Sequence, residues 1–167
     1  MKPDRAQVWT QGLFAGLIGY ATVVLFFGVL NVIQGRSPFF TVAALGTALF
    51  EGVRDPAHVT VAPGAVFAYN GLHLVLFLVI GQVGAWLVYE TERHHSLWYV
   101  IFFLVLAGFI YGLTITGVFG AEIAHAVPWW SVVAANVAWV AAVAGYFWRS
   151  HPRLLGQLRE EQDGPAT

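Results

Sequence analysis

Four long apolar segments constrain this chain more than any other feature of its sequence. They cover residues 8–33, 66–89, 97–119 and 128–148. Each reaches the length of about 20 residues that a helix needs to cross the hydrocarbon of a bilayer. A backbone inside lipid must satisfy its own hydrogen bonds, so such segments form helices there. The sequence therefore predicts an all-α, polytopic integral membrane protein, a four-transmembrane-helix bundle within one transmembrane domain over residues 1–149.

The composition supports this fold class. Of the 167 residues, 58% are hydrophobic and only 10% are charged, whereas soluble domains carry roughly a quarter charged residues. The formal net charge of −1 argues against nucleic acid as a partner, because such binding calls for a basic surface. The chain has no cysteine, which excludes disulfides and thiolate ligands.

A fifth apolar segment, residues 38–50, is too short to cross a membrane. At 1.5 Å per residue it is roughly 20 Å long, about two thirds of the hydrocarbon thickness. Ser37 and Pro38 favour a helix start, and Glu51 and Gly52 favour its end. We expect a re-entrant or interfacial helix on the outer side of the membrane.

The distribution of cationic residues predicts the orientation of the bundle. With four spans and the amino terminus inside, six basic residues lie on the inner side and two on the outer side. The inner residues are Lys2, Arg5, Arg93, Arg149, Arg153 and Arg159; the outer ones are Arg36 and Arg54. The positive-inside rule then puts both termini, including a polar tail over residues 150–167, in the cytoplasm. We expect a multi-pass protein of a bacterial inner membrane.

His73 is the ionisable residue placed deepest within a predicted span. Ionisable groups inside a membrane are costly, so each is a functional candidate. Asn70 lies one turn earlier on the same helix face, and a hydrogen bond to Asn70 or to a neighbouring hydroxyl would satisfy His73 without any function. The alternative is a role for His73 in binding a cofactor or relaying a proton.

Several further imidazoles and carboxylates belong to the outer side in this topology. Glu122 and His125 share the Glu-x-x-His spacing, and His58 lies in the earlier outer loop. Together with His73 they form a candidate metal site for Zn, Cu(II) or Fe(II), the ions that imidazole and carboxylate ligands suit. A bis-histidine haem would require the loop that carries His125 to dip toward His73. Cofactor candidates are thus haem and a transition metal.

The leading functional hypothesis is a non-catalytic membrane subunit or accessory protein. Every predicted span carries small residues, which let helices pack closely in lipid, and the sequence contains no soluble-type catalytic motif. Its partners would be the lipid bilayer and other membrane subunits or further copies, with a respiratory or redox complex as the candidate assembly. The alternatives are a small metal- or haem-binding redox protein that uses His73, Glu122 and His125, and a transporter with a half-helix at residues 38–50.

Overall fold

Helices form all the regular structure in the described part of the chain. The computed structural model describes residues 5–53, 55–94, 102–103, 106–108, 110–111, 114 and 127–151. The helices in that part are α1 (Arg5–Ile33), α2 (Phe40–Glu51), α3 (Pro63–His94) and α4 (Trp129–Ser150), with a 3₁₀ turn at Pro56–His58. These residues include no strand, which confirms the all-α prediction for them.

Three of these helices, α1, α3 and α4, are long and apolar enough to cross a membrane. The 29 residues of α1 extend for about 43 Å, more than the hydrocarbon requires. The 12 residues of α2 extend for only about 18 Å, so the prediction of a short helix is confirmed. Within the predicted span 97–119 the described residues all lie in helix. The chain thus has the character of a multi-pass membrane protein, while its fourth span stays a prediction.

The contact between α1 and α3 depends on glycine at three positions. A Cβ built on Gly16 would lie 2.7 Å from the carbonyl oxygen of Phe77, and one built on Gly81 would lie 2.5 Å from the backbone nitrogen of Gly16. Gly12 is also buried against α3, where its Cβ would meet the amide of Gln82. Small residues allow backbones to approach closely where lipid offers no hydrophobic drive for association. The small face predicted for the first span therefore packs within this chain.

α4 packs against α1 through residues that recur every fourth position. Its buried side is made of Ser131, Ala135, Trp139, Val143 and Phe147. This spacing keeps the side chains on one face of a helix. Phe77 of α3 joins them, with its ring 5.6 Å from that of Trp139 in an edge-on contact. The opposite faces of the helices carry large apolar side chains that point outward, as helices in lipid require.

α2 is held at one end of the bundle by a buried asparagine. Asn31, which is 2% exposed, donates from its side-chain amide to the Pro38 carbonyl at 3.2 Å and accepts the Thr41 hydroxyl at 3.0 Å. Farther along α2, a Cβ on Gly46 would lie 2.5 Å from the carbonyl oxygen of Ala65 in α3. These contacts fasten the short helix against both α1 and α3.

α2 ends at a glycine in the left-handed conformation. Gly52 has φ 71°, a value that residues with a side chain rarely adopt. Its N–H and that of Val53 donate to the Thr47 carbonyl. A left-handed glycine of this kind satisfies the last carbonyls of a helix, so the predicted stop at Gly52 is confirmed.

Candidate functional site

His73 lies on the inward face of α3. Ala65, Tyr69, Phe77 and Gly81 precede and follow it at intervals of four residues, and all five are buried. His73 is 6% exposed and lies roughly 15 Å from the start of α3 at Pro63, given 1.5 Å per residue. The sequence-based placement of His73 well inside a long apolar helix is confirmed, whereas its role as a ligand stays a prediction.

Four aromatic rings surround the imidazole of His73, and we call this set the aromatic cage. Its members are Tyr20 of α1, Tyr69 and Phe77 of α3, and Tyr111. Their ring centroids lie 6.3, 5.5, 5.0 and 5.5 Å, respectively, from that of the imidazole. Within the described part of the chain, His73 interacts with its neighbours through these ring contacts. Neither nitrogen of its imidazole has a hydrogen-bond partner there.

Asn70 does not satisfy His73, although the sequence suggested it as a partner. Its side-chain oxygen accepts the Tyr20 hydroxyl at 3.0 Å, and its amide group donates to the Val66 carbonyl at 3.0 Å. Tyr20 belongs to α1, so its hydroxyl reaches the Asn70 side chain across the interface between α1 and α3. The imidazole nitrogens of His73 can therefore form a hydrogen bond with a molecule in the space beside the ring.

That space is a cavity of about 450 Å³. Its volume falls within the range of roughly 300–1,000 Å³ that is typical of small-molecule sites. The walls come from all four described helices and the 97–119 segment, and most of the lining is aliphatic or aromatic. The lining comprises Val23, Leu49, Tyr69, Leu72, His73, Leu76, Phe77, Ile80, Phe103, Leu106, Ala107, Ile110, Tyr111, Thr114, Val132, Ala135, Asn136 and Trp139.

Asn136 of α4 also lines the cavity, and a hydrogen bond determines which way its amide group faces. Its side-chain oxygen accepts the indole N–H of Trp139 at 2.8 Å. An indole can only donate, so the oxygen of the amide must face Trp139. The NH₂ group of Asn136 is then the part of the amide left to donate to another acceptor. Thr114, in contrast, uses its hydroxyl proton on the Ile110 carbonyl at 2.8 Å.

The cavity lining includes four aliphatic side chains that also lie at the surface of the bundle, the surface that faces lipid in a membrane. They are Leu72 and Leu76 of α3, and Leu106 and Ile110 of the 97–119 segment. We infer that the cavity opens between them. Each of these four side chains is partly exposed at the outer surface of the bundle. A molecule dissolved in the hydrocarbon could therefore enter between them without crossing water.

The described part of the structure does not bring the predicted metal ligands together. His58 lies in an exposed turn, where its Nδ1 is 2.7 Å from a carboxylate oxygen of Asp55. Among the described residues no three His, Asp or Glu side chains are close enough to hold a metal ion. Glu122 and His125 lie outside the described residues, so their part in a metal site stays a prediction.

Asp55 organises the turn that contains His58. The N–H of Ala57 donates to one carboxylate oxygen at 2.9 Å, and the His58 imidazole pairs with the other. These two hydrogen bonds, the backbone one foremost, hold the pKa of Asp55 below its usual range. The turn therefore pairs His58 with a carboxylate of its own loop.

A bis-histidine haem does not fit the described part of the cavity. His73 is the one imidazole in the described lining, so these residues supply a single axial ligand. His151, the other buried imidazole described, contacts the rings of Tyr89 and Phe147 at the far ends of α3 and α4. The haem hypothesis would thus need a second ligand from His125 or from outside the chain.

The polar groups of α2 bear on the transporter hypothesis. Thr41 donates to Asn31, and Thr47 donates to the carbonyls of Ala43 and Ala44 within its own helix. Glu51 is exposed at the last turn. The two hydroxyls of this half-helix are consequently occupied by structural hydrogen bonds, and transport stays a prediction.

The sequence did not single out His151, although the structure buries it. Its Nε2 lies 2.6 Å from the side-chain oxygen of Gln11 in α1, and the ring makes an edge-on contact with Tyr89 at 4.9 Å. This pair joins the first turns of α1 to the end of α4. The start of the first helix and the end of the last one therefore lie at the same end of the bundle.

Comparisons of the chain with protein-family models, curated proteins and solved structures give no match. The residues of the cavity are consequently interpreted from their chemistry alone. Tyr69, Tyr111 and Asn136 were not predicted as site residues. For Tyr69 the signal was its position one turn before His73; Tyr111 and Asn136 belong to other segments, and no spacing links them to His73.

Proposed function

We propose that this chain is a non-catalytic membrane protein that binds a lipid-soluble small molecule inside its helix bundle. One observation carries the proposal: a buried imidazole without a hydrogen-bond partner among the described residues borders a largely apolar cavity. The ring nitrogens of His73 are therefore accessible from the cavity and not enclosed by protein atoms. A ligand in the cavity could supply the hydrogen bond that the described residues do not, which is worth about 0.5–1.5 kcal/mol.

The shape of the cavity supports the same proposal. Aliphatic and aromatic walls favour an apolar ligand, and a few convergent polar groups orient it, as is usual for small-molecule sites. Four aliphatic side chains of its lining, Leu72, Leu76, Leu106 and Ile110, are also exposed at the surface of the bundle. A ligand that is already dissolved in the bilayer would enter between them.

The proposed function is tested by identifying what the protein retains. The chain is purified from its native membranes in mild detergent, and bound molecules are extracted and identified by mass spectrometry. We expect an apolar compound near one per chain in the native protein and its loss in His73→Phe. Gln82→Leu is the matched control, because Gln82 bonds the Trp9 carbonyl and does not line the cavity. A protein that carries no such compound and binds none on addition would contradict the proposal.

The same sample tests the redox alternative. Haem would give a strong visible absorbance, and a bound transition metal would appear in elemental analysis at near one per chain. Either result would assign His73 to a metal and replace the proposal of an organic ligand. We then expect loss of the signal in His73→Phe and in His125→Phe.

An accessory-subunit role is a second candidate, favoured by one face of α3. Gly64, Ala68 and Gly71 are exposed along one side of this helix, and a Cβ on either glycine would meet no atom within 4 Å. This stripe leaves room for a close helix from another subunit, of a respiratory or redox complex or of a second copy. Gly12, Gly16 and Gly19 of α1, in contrast, already pack against α3.

The subunit role is tested by the mass of the assembly extracted from native membranes. We expect Gly71→Leu to release the partner, whereas Val137→Leu on the outward face of α4 should leave the assembly intact. A monomer in the unsubstituted protein would contradict the subunit role and leave the ligand proposal unaffected.

We further propose four spans, with both termini in the cytoplasm of a bacterium and the chain in its inner membrane. The six-to-two distribution of basic residues supports this orientation, and the His151–Gln11 pair supports termini on one side. The chain has no cysteine, so Ala57→Cys and Ser150→Cys give single reactive sites. We expect an impermeant thiol reagent to label the former in whole cells and the latter only after lysis. The opposite pattern would invert the topology.

A further inference from the structure

Beside the hydroxyls of Tyr69, Tyr111 and Thr114 and the indole of Trp139, the cavity lining holds two nitrogen-bearing polar side chains on different helices. His73 belongs to α3 and Asn136 to α4, and both line the same space. A neutral imidazole has one N–H donor, and the NH₂ group of Asn136 is left to donate because Trp139 occupies the amide oxygen. The described lining thus offers two nitrogen donors within apolar walls.

The walls around these donors are rich in flat rings. Tyr69 and Phe77 flank His73, and the Phe77 ring continues to Trp139, beside Asn136. Aromatic side chains make favourable offset or edge-on contacts with another ring. The cavity therefore favours a ligand whose buried part is itself a flat ring.

The described lining contains no Lys, Arg, Asp or Glu. A charged head group would lose its hydration there without gaining a counter-charge, which costs far more than a hydrogen bond returns. The ligand is accordingly neutral, and the lateral opening requires that it be soluble in the hydrocarbon.

We infer that the cavity binds a lipid-soluble quinone, with one carbonyl oxygen accepting from His73 and another from Asn136. A quinone combines a flat neutral ring with two carbonyl acceptors and a hydrocarbon tail. The tail would leave through the opening between Leu72, Leu76, Leu106 and Ile110, and the ring would lie among the aromatic side chains. This assignment rests on the proposed function and specifies the chemical class of its ligand.

The test compares two ligands that share a ring and a decyl tail and differ in the carbonyl groups. The purified full chain is placed in lipid nanodiscs and titrated with decyl-1,4-benzoquinone or with decylbenzene, which has the same tail and a six-membered ring but no carbonyl. Binding is the excess of ligand in protein-containing over empty nanodiscs, measured by chromatography. We expect the quinone to bind at least about tenfold more tightly, the ratio that roughly 1.4 kcal/mol of hydrogen bonding gives.

Two substitutions locate the donors. We expect His73→Phe to weaken quinone binding by about tenfold and to leave decylbenzene binding unchanged. Asn136→Leu is made in a Trp139→Phe background, so that no indole N–H loses its acceptor, and is compared with Trp139→Phe alone. We expect a similar loss for the quinone only. Gln82→Leu, remote from the cavity, should alter neither ligand.

The outcomes separate this inference from the function on which it rests. Equal binding of both ligands would overturn the quinone assignment and support a general apolar site. A preference for the quinone that survives both substitutions would overturn the roles of His73 and Asn136. Binding of neither ligand would contradict the proposed function and the inference together. Thermal unfolding of each variant shows whether a loss reflects the site or the fold, and if His73→Phe does not fold, His73→Leu, which also lacks a donor, replaces it.

Discussion

The indole N–H of Trp139 donates to the side-chain oxygen of Asn136, one helical turn earlier, at 2.8 Å. The Trp139 ring also contacts Phe77 edge-on at 5.6 Å, and Phe77 lies next to His73. Trp139 thereby fixes the direction of the Asn136 amide and forms part of the cavity wall.

Replacing Trp139 by Phe should weaken ligand binding without removing either donor. The ring contact with Phe77 would persist, whereas Asn136 would lose the bond that fixes its amide. We expect a loss of stability of about 1 kcal/mol, the usual worth of one hydrogen bond, and weaker quinone binding measured in nanodiscs. Unchanged affinity would show that the orientation of Asn136 is not set by this bond.

Replacing His73 by Phe should maintain the stability of the protein. The imidazole has ring contacts and no hydrogen bond among the described residues. An apolar ring of similar shape therefore keeps the packing and breaks no hydrogen bond, and we expect the free energy of unfolding to change by less than about 1.5 kcal/mol. The measurement is thermal unfolding of the ligand-free protein in detergent. A clear loss of stability would mean that His73 is a structural residue.

Adding a methyl group at Gly81 should disrupt the contact between α1 and α3. The new Cβ would lie 2.5 Å from the backbone nitrogen of Gly16, and backbone cannot move aside as a side chain can. We expect Gly81→Ala to cost about 1–3 kcal/mol, as overpacking typically does. Gly71→Ala is the matched control: it lies on the same helix with nothing within 4 Å, and we expect it to be neutral or to gain up to about 1 kcal/mol in helix propensity. Equal effects at the two sites would contradict the packing described for Gly81.

Replacing Asn31 by Leu should loosen α2. The substitution removes the partner of the Pro38 carbonyl and of the Thr41 hydroxyl, both in a buried setting, at an expected cost of about 1–3 kcal/mol. Thr41→Val, and the double variant with Asn31→Leu, complete a double-mutant cycle by thermal unfolding. Strictly additive losses would contradict a direct interaction between the two side chains.

Acid should loosen the turn that contains His58. Since the folded state lowers the pKa of Asp55, the stabilising contribution of its carboxylate is complete above the ordinary pKa of an aspartate. It is lost as the pH falls through the lowered folded value. We expect the Ala57 amide resonance to shift in that acid range, below the ordinary pKa of an aspartate. Asp55→Asn, which keeps an acceptor for the Ala57 N–H, should abolish the shift.

The helices were predictable from the sequence because long apolar segments determine them locally. α1, α2 and α4 begin or end within a few residues of their predicted limits, and Gly52 ends α2 as its backbone freedom suggests. α3 extends further than its apolar core, since Pro63 can begin a helix and polar residues near Glu90 can continue one beyond the hydrocarbon.

The site was predictable only in part, because its geometry depends on which helices meet. His73 was singled out by its depth in a predicted span and by its ionisable side chain. Asn70, by contrast, was assigned to the wrong neighbour, since Tyr20 comes from a separate helix. His151 looked like part of a polar tail, and its burial is explained by residues of other segments, Gln11 of α1 and Tyr89 of α3. Spacing along one helix cannot reveal such partners.

The lateral opening of the cavity changes how affinity for its ligand should be understood. A compound that reaches Leu72 and Ile110 from the hydrocarbon is supplied by the bilayer, where apolar molecules accumulate far above their concentration in water. Occupancy is then set by the mole fraction of the compound among the lipids, so weak intrinsic binding can suffice to fill the site. The fraction of protein with a bound ligand would then follow the composition of the membrane and not that of the surrounding solution.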